Sequence, residues 1–279
     1  METNQGIAPT RSRTSRLRLG LLVALASAPL ALGACSASDD SSDASTSPSS
    51  APVESATITV MAAASLTEPF TELAATFEAE HPGVTVDLVF DGSSTLATQL
   101  VEGAPADVFA SASKTTMTEV TDAGLITDPD NFIGNQLTIA VPADNPAGIT
   151  SLADLADPAV AVVVCAPEVP CGALALAVLD AASLDITPVS EEQNVKGVVT
   201  KLTTGDADAG FVYLSDVQAE GDTLATVALP DATVATTNYY IGVLEDSKHQ
   251  DLANQFLALI SSAEGQQVLH DAGFSDAQP

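Results

Sequence analysis

The sequence predicts an α/β protein in two alternating blocks behind a leader and a tether. Three observations carry this. From residue 56 onward, short apolar or two-periodic runs alternate with segments of helical spacing. The alternation restarts near Leu137, after a polar stretch. The first 55 residues share neither pattern. Strand, helix, strand in repetition is the signature of a sheet with parallel strands and helices on its faces.

Residues 1–34 read as a processing signal. Arg11, Arg13, Arg16 and Arg18 are followed by an apolar run, Leu19 to Leu32, that Pro29 interrupts and that is too short to span a bilayer. It ends in Leu32-Gly33-Ala34-Cys35, a lipobox, which implies cleavage before Cys35 and acylation of its thiol. An ordinary signal peptide with an incidental cysteine is the plainer alternative. Residues 35–55 are rich in Ser, Ala, Asp and Pro without apolar periodicity, and read as a disordered tether.

In the first block, Thr57 to Met61 reads as a buried strand. Leu66 to Glu80 is a helix with Phe70, Leu73, Ala74 and Phe77 on one face, stopped by His81-Pro82-Gly83. Val84 to Val89 is a strand, Ser94 to Glu102 a helix, Asp107 to Ala110 a strand and Ser113 to Asp122 a helix. In the second block the strands are Leu137 to Val141, Val160 to Val164, Ala209 to Tyr213, Leu224 to Leu229 and Tyr239 to Leu244. Helices are expected at Gly172 to Ala182, Val195 to Thr203, Asp251 to Ser261 and Ala263 to His270.

Charge excludes whole classes of partner. Removing the leader takes away Glu2 and all four arginines. That leaves 36 of the 37 acids against Lys114, Lys196, Lys201 and Lys248, a net charge near −32. Such a chain cannot neutralise phosphates, so nucleic acid is excluded, and an anionic membrane surface would repel it. The acidity itself reads as a device for solubility. Cys35 being assigned to lipid, Cys165 and Cys171 remain. An oxidising compartment favours a disulfide, with two buried free thiols as the alternative. The histidines, His81, His249 and His270, are scattered, and no metal-ligand spacing occurs.

Four segments place small polar residues at strand-to-helix junctions. They are Ala64-Ser65-Leu66-Thr67-Glu68, Gly92-Ser93-Ser94-Thr95, Cys165 to Gly172, and Gln193-Asn194-Val195-Lys196-Gly197. Ser65 and Glu68 have the spacing of a capping box, and Asn194 suits an N-cap. Each taken alone is ordinary capping. Together they offer free N–H groups and hydroxyls at helix starts, beyond the carboxyl ends of strands, where α/β sheets bind ligands and where anions are held. With no arginine left, a guanidinium clamp is impossible, and an anion there must be held by neutral donors and helix dipoles.

Over residues 56–274 the chain resembles the molybdate-binding proteins of ABC importers. The resemblance rests on Ala62-Ala63-Ala64-Ser65-Leu66-Thr67, Gly92-Ser93-Ser94-Thr95-Leu96-Ala97 and Gly103 to Ala112. It continues through Pro167-Glu168-Val169-Pro170-Cys171-Gly172, Asn194-Val195-Lys196-Gly197 and Gly210 to Asp216. It implies the type II periplasmic-binding-protein fold, two α/β lobes closing on the ligand. Lobe I would be 56–139 plus 236–279, and lobe II 140–235. The implied ligand contacts are the Ser65, Ser93 and Tyr213 hydroxyls and the backbone N–H groups of Cys171 and Val195. Cys171 replaces an alanine common in the family, which leaves a backbone contact intact. The same resemblance implies molybdate or tungstate as ligand, no cofactor, a membrane permease of an ABC importer as partner, and lipid-anchored attachment through Cys35 outside the membrane. A monomer is expected.

Two rivals stand beside this reading. Sulfate or phosphate, also tetrahedral oxyanions, would suit similar donors. An extracellular serine hydrolase would use Ser65 or Ser93, but no Gly-x-Ser-x-Gly surrounds either and no histidine sits in a recognisable triad setting, so no enzyme is expected.

Overall fold

A computed structural model describes residues 55–230 and 232–279, without side-chain detail at 232 and 233. The leader, Cys35 and all of the tether but Ser55 lie outside the described residues.

The first block folds as β1 (Ala56–Ala63), α1 (Thr67–Glu80), β2 (Val84–Asp91), α2 (Ser93–Val101), β3 (Val108–Ser111) and α3 (Lys114–Asp122). Next come β4 (Asp130–Pro142), β5 (Val162–Cys165), α4 (Pro170–Ala182), β6 (Ser190–Glu192), α5 (Val195–Thr203), β7 (Ala209–Tyr213), α6 (Leu214–Glu220) and β8 (Leu224–Val227). The chain closes with β9 (Thr236–Val243), α7 (Gln250–Ser261) and α8 (Ala263–Asp271).

The strands run in the order β2-β1-β3-β9-β4-β7-β5-β6, with β8 on β4. The parallel strands expected from the alternation are present as β2-β1-β3 and β6-β5-β7. Between the two sets, β4 and β9 run antiparallel to their neighbours, so the sheet is mixed. β4 serves both halves. Its residues Asp130 to Gln136 pair with β9, and Leu137 to Pro142 pair with β7 and β8.

The apolar cores divide with the sheet. One core fills the space around β5, β7, α4 and α5, from Leu137 to Ala235, with Ala64 added from the first block. A second lies between β1, β9 and the helices α1, α7 and α8. There Phe70, Phe77 and Phe256 meet edge to face. A third lies on the other face of that sheet, under α2 and α3. The molecule thus has two α/β lobes with separate cores, β4 running from the first into the second and the chain returning to the first at the start of β9.

Candidate anion-binding site

Four strands end at the same place. β1 leads through a short 3-10 turn, Ala64–Leu66, that carries Ser65. β2 leads through Gly92 into α2, whose first residue is Ser93. β5 leads into α4 with Cys171 in its first turn, and β7 ends on Tyr213. Asn194 caps α5, its Oδ1 accepting from the Gly197 N–H at 3.1 Å, and Val195 begins that helix.

Ser65, Ser93, Cys171, Val195 and Tyr213 all line one cavity of about 20 Å³. That volume holds a water or a compact ion and excludes an amino acid or sugar. A larger hollow, about 440 Å³, opens at the amino-terminal ends of β1 and β3. Its buried carboxylate, Asp107, already accepts from the Thr59 N–H and the Ser247 hydroxyl, so it has little left to offer a ligand.

The small cavity is rich in donors. The N–H groups of Cys171 and Val195 lie in first turns of helices, where no intrahelical acceptor exists. α2, α4 and α5 all start here, and their dipoles favour negative charge at this point. Ser93, 1 % exposed, has its Oγ accepting from the Ala112 N–H at 3.0 Å. Ser65 Oγ lies 2.7 Å from the Tyr239 hydroxyl. The Tyr213 hydroxyl is buried and has no hydrogen-bond partner among the described residues. Burial, then the neighbouring Tyr239 and Asp216, push its ionisation well above the usual tyrosine range, so it stays a neutral O–H.

The capping box expected at Ser65 and Glu68 is not formed. The turn at Ala64 delays α1 to Thr67, so Ser65 is not its N-cap and turns to Tyr239, while Glu68 reaches across the cleft. The Asn194 cap does form. Cys165 and Cys171 are joined as a disulfide, their Cα atoms 5.8 Å apart, and this closes the loop that enters α4.

The walls meet directly. The Ser94 hydroxyl donates to the Glu168 carbonyl at 2.6 Å, and Asn194 Nδ2 donates to Asp91 Oδ1 at 2.8 Å. Lys196 Nζ lies 2.9 Å from each Glu68 oxygen and 3.4 Å from Asp216 Oδ1. Asp216 is fully buried. Its other oxygen accepts from the Tyr213 N–H at 3.0 Å. Burial raises the Asp216 carboxyl to about 6, although Lys196 and that N–H pull the other way. Burial alone would lower Lys196, but Asp216 and Glu68 outweigh it and hold the ammonium above its usual range.

Sequence reasoning missed Tyr239, Asn135 and Asp216. Asp216 left a signal, since an acid three residues after a strand end is capping spacing, and it does bond the Tyr213 N–H. Tyr239 and Asn135 left none, because their partners lie 174 and 80 residues away.

Comparison with known proteins agrees with this geometry. The model of the bacterial extracellular solute-binding protein family matches residues 58–275. The molybdate-binding protein ModA of Mycobacterium tuberculosis (strain ATCC 25618 / H37Rv) is 42% identical over 260 residues, covering 92% of this chain and 98% of the relative. Among solved structures, the Azotobacter vinelandii periplasmic molybdate-binding protein aligns with a TM-score of 0.69 at 20% identity, over 79% of this chain and 100% of that one. The sulfate-binding protein SubI from Mycobacterium tuberculosis H37Rv aligns equally well, at 0.69 and 19%, over 80% of this chain and 88% of that one. At such identities these two alignments speak for the fold alone. Two lobes, a small donor-lined cavity between them and a relative matched almost end to end have one reading: the chain belongs to the bacterial extracellular solute-binding protein family and groups within it with the molybdate-binding proteins.

Proposed function

We propose that this protein binds molybdate, and tungstate alike, outside the membrane and delivers it to an ABC importer. The observation that carries the reading is the convergence of Ser65, Ser93, Cys171, Val195 and Tyr213 on one ion-sized cavity at three helix starts. All the contacts proposed there are donors, which suits a dianion without protons. Ser65, Ser93 and Tyr213 give hydroxyls, and Cys171 and Val195 give backbone N–H groups. The role is binding, with no catalytic step and no cofactor.

The rest of the reading follows from the sequence. Residues 1–34 are removed and Cys35 carries lipid, so residues 35–55 tether a monomer to the outer face of the membrane beside the permease. The lobes are 56–139 with 236–279, and 140–235, hinged where β4 passes between them and where the chain returns into β9; the core of the second reaches back to Leu137.

Calorimetric titration of the purified protein with molybdate, tungstate, sulfate and phosphate tests this. Molybdate and tungstate should bind alike, sulfate far more weakly and phosphate weakest. Equal or tighter binding of sulfate or phosphate would give the site to that oxyanion instead.

A further inference from the structure

We infer that Tyr239 and Asn135, neither of which lines the cavity, fix the polarity of Ser65 so that its hydroxyl must donate. They are positioning residues that set selectivity against protonated oxyanions. The inference rests on the oxyanion-binding reading above.

The proton count runs along three buried side chains. Asn135 Oδ1 accepts from the Gln136 N–H at 2.9 Å, which orients the amide. Its Nδ2 then donates to the Ser215 hydroxyl at 2.8 Å and, more weakly, to the Tyr239 hydroxyl at 3.4 Å. The Tyr239 oxygen therefore faces a donor at Asn135 and must send its own proton elsewhere. Ser65 Oγ, at 2.7 Å, is the acceptor within reach, since the Tyr213 hydroxyl has no partner of hydrogen-bond geometry. Ser65 Oγ thus accepts from Tyr239, and its proton is left for the cavity.

Ser93 reaches the same state by another route, its oxygen accepting from the Ala112 N–H. Both serines present a proton to the ligand. An anion that keeps a proton of its own needs an acceptor. Either serine could accept only by turning its own proton away from the ligand, in a site where each is at most 2 % exposed. Rejection of protonated anions is thereby built into groups behind the site as well as into the contacts.

Selenate and arsenate test this. They are tetrahedral oxyanions of similar size, and near neutral pH arsenate retains a proton while selenate does not. Their binding, by competition against molybdate, is measured for wild type, Tyr239→Phe and Asn135→Leu. Tyr239→Phe removes the donor to Ser65, and Asn135→Leu breaks the relay one bond earlier and leaves the ring in place. Both variants should shift the arsenate-to-selenate ratio toward arsenate, by roughly tenfold for Tyr239→Phe and less for Asn135→Leu. A loss of affinity equal for both anions, or an unchanged ratio in the variants that fold, overturns the relay. Failure of wild type to bind molybdate would instead overturn the function proposed above.

Discussion

Lys196 holds Glu68 across the cleft, its Nζ 2.9 Å from both carboxylate oxygens. Lys196 lies in the first turn of α5 on one wall, and Glu68 in the first turn of α1 on the other. Val195, whose N–H faces the cavity in the proposed site, is the residue before it. The ion pair joins residues of the two proposed lobes, so if these open and close around the ligand it adds to the closed state without touching the ligand. Glu68 is 47 % exposed, so the pair is worth little, under about 1 kcal/mol. Glu68→Gln should weaken molybdate binding by up to about fivefold, and the effect should fade at high salt. Lys196→Met should do more, because it also strips the buried Asp216 of its cation. Titrations of both variants at low and high ionic strength check this. Equal effects of the two substitutions would deny Asp216 its dependence on Lys196.

Gly92 marks how closely the walls approach. Its φ of −58° and ψ of 132° suit any residue, so glycine is not there for its backbone freedom. A Cβ at this position would stand 2.2 Å from the Gln193 carbonyl oxygen and 3.3 Å from Val169, both on the facing wall. Gly92→Ala should therefore leave the open protein intact and block closure. We expect at least a tenfold loss of molybdate affinity with little change in the melting temperature of the ligand-free protein. Small-angle scattering should find no compaction on adding molybdate. Wild-type compaction would mean that the walls do not meet as described.

How much of this was legible in the sequence depended on range. α5, with its Asn194 cap and apolar face, and β7 were read to the residue, because their signals are local. The first half of β4, Asp130 to Gln136, was not. It buries Gly134 and Asn135 among apolar neighbours and shows no two-residue period. β6 is a polar three-residue strand, and α6 is only seven residues long, so neither offers a periodic signal. At the cavity the same rule held. The five residues that the family resemblance implies as contacts are among those lining it, and Cys165 and Cys171, six residues apart on one loop, are joined as a disulfide. Tyr239 behind Ser65 was invisible because only the fold brings them together.

Asp216 gives the protein a pH signature. Burial raises its folded-state pKa to about 6, above the unfolded value near 3.8. The folded state therefore binds this proton more tightly than the unfolded state. Over the window from about pH 6 down to about pH 4, protonation favours folding, and above it the buried charge costs stability. Asp216→Asn removes this titrating group. Its melting temperature relative to wild type should be highest above pH 6 and should fall as the pH is lowered toward 4. Taking the difference cancels the general relief of the protein's acidity. A difference independent of pH would mean that Asp216 is not the titrating group.

Tyr213 offers the sharpest separation of stability from function. Its hydroxyl lines the cavity and has no partner of hydrogen-bond geometry among the described residues, so with the lobes closed it is a donor left for a ligand, while in the open protein water reaches it. The ring packs edge-on to Tyr239, with centroids 6.1 Å apart, and phenylalanine would keep that contact. Tyr213→Phe should thus leave the melting temperature of the ligand-free, open protein nearly unchanged. In the proposed complex the same hydroxyl donates to a dianion, an interaction worth roughly 1.5–3 kcal/mol, and its loss should weaken molybdate binding by about tenfold to over a hundredfold. The substitution thus separates affinity from stability. Thermal unfolding without ligand, together with a molybdate titration, reads both on one sample. A purely packing role for Tyr213 predicts a small change of either sign in stability and none in affinity. A hydroxyl satisfied by a neighbour in the ligand-free state predicts a loss of stability. Only a donor left free for the ligand predicts a protein of unchanged stability that binds less.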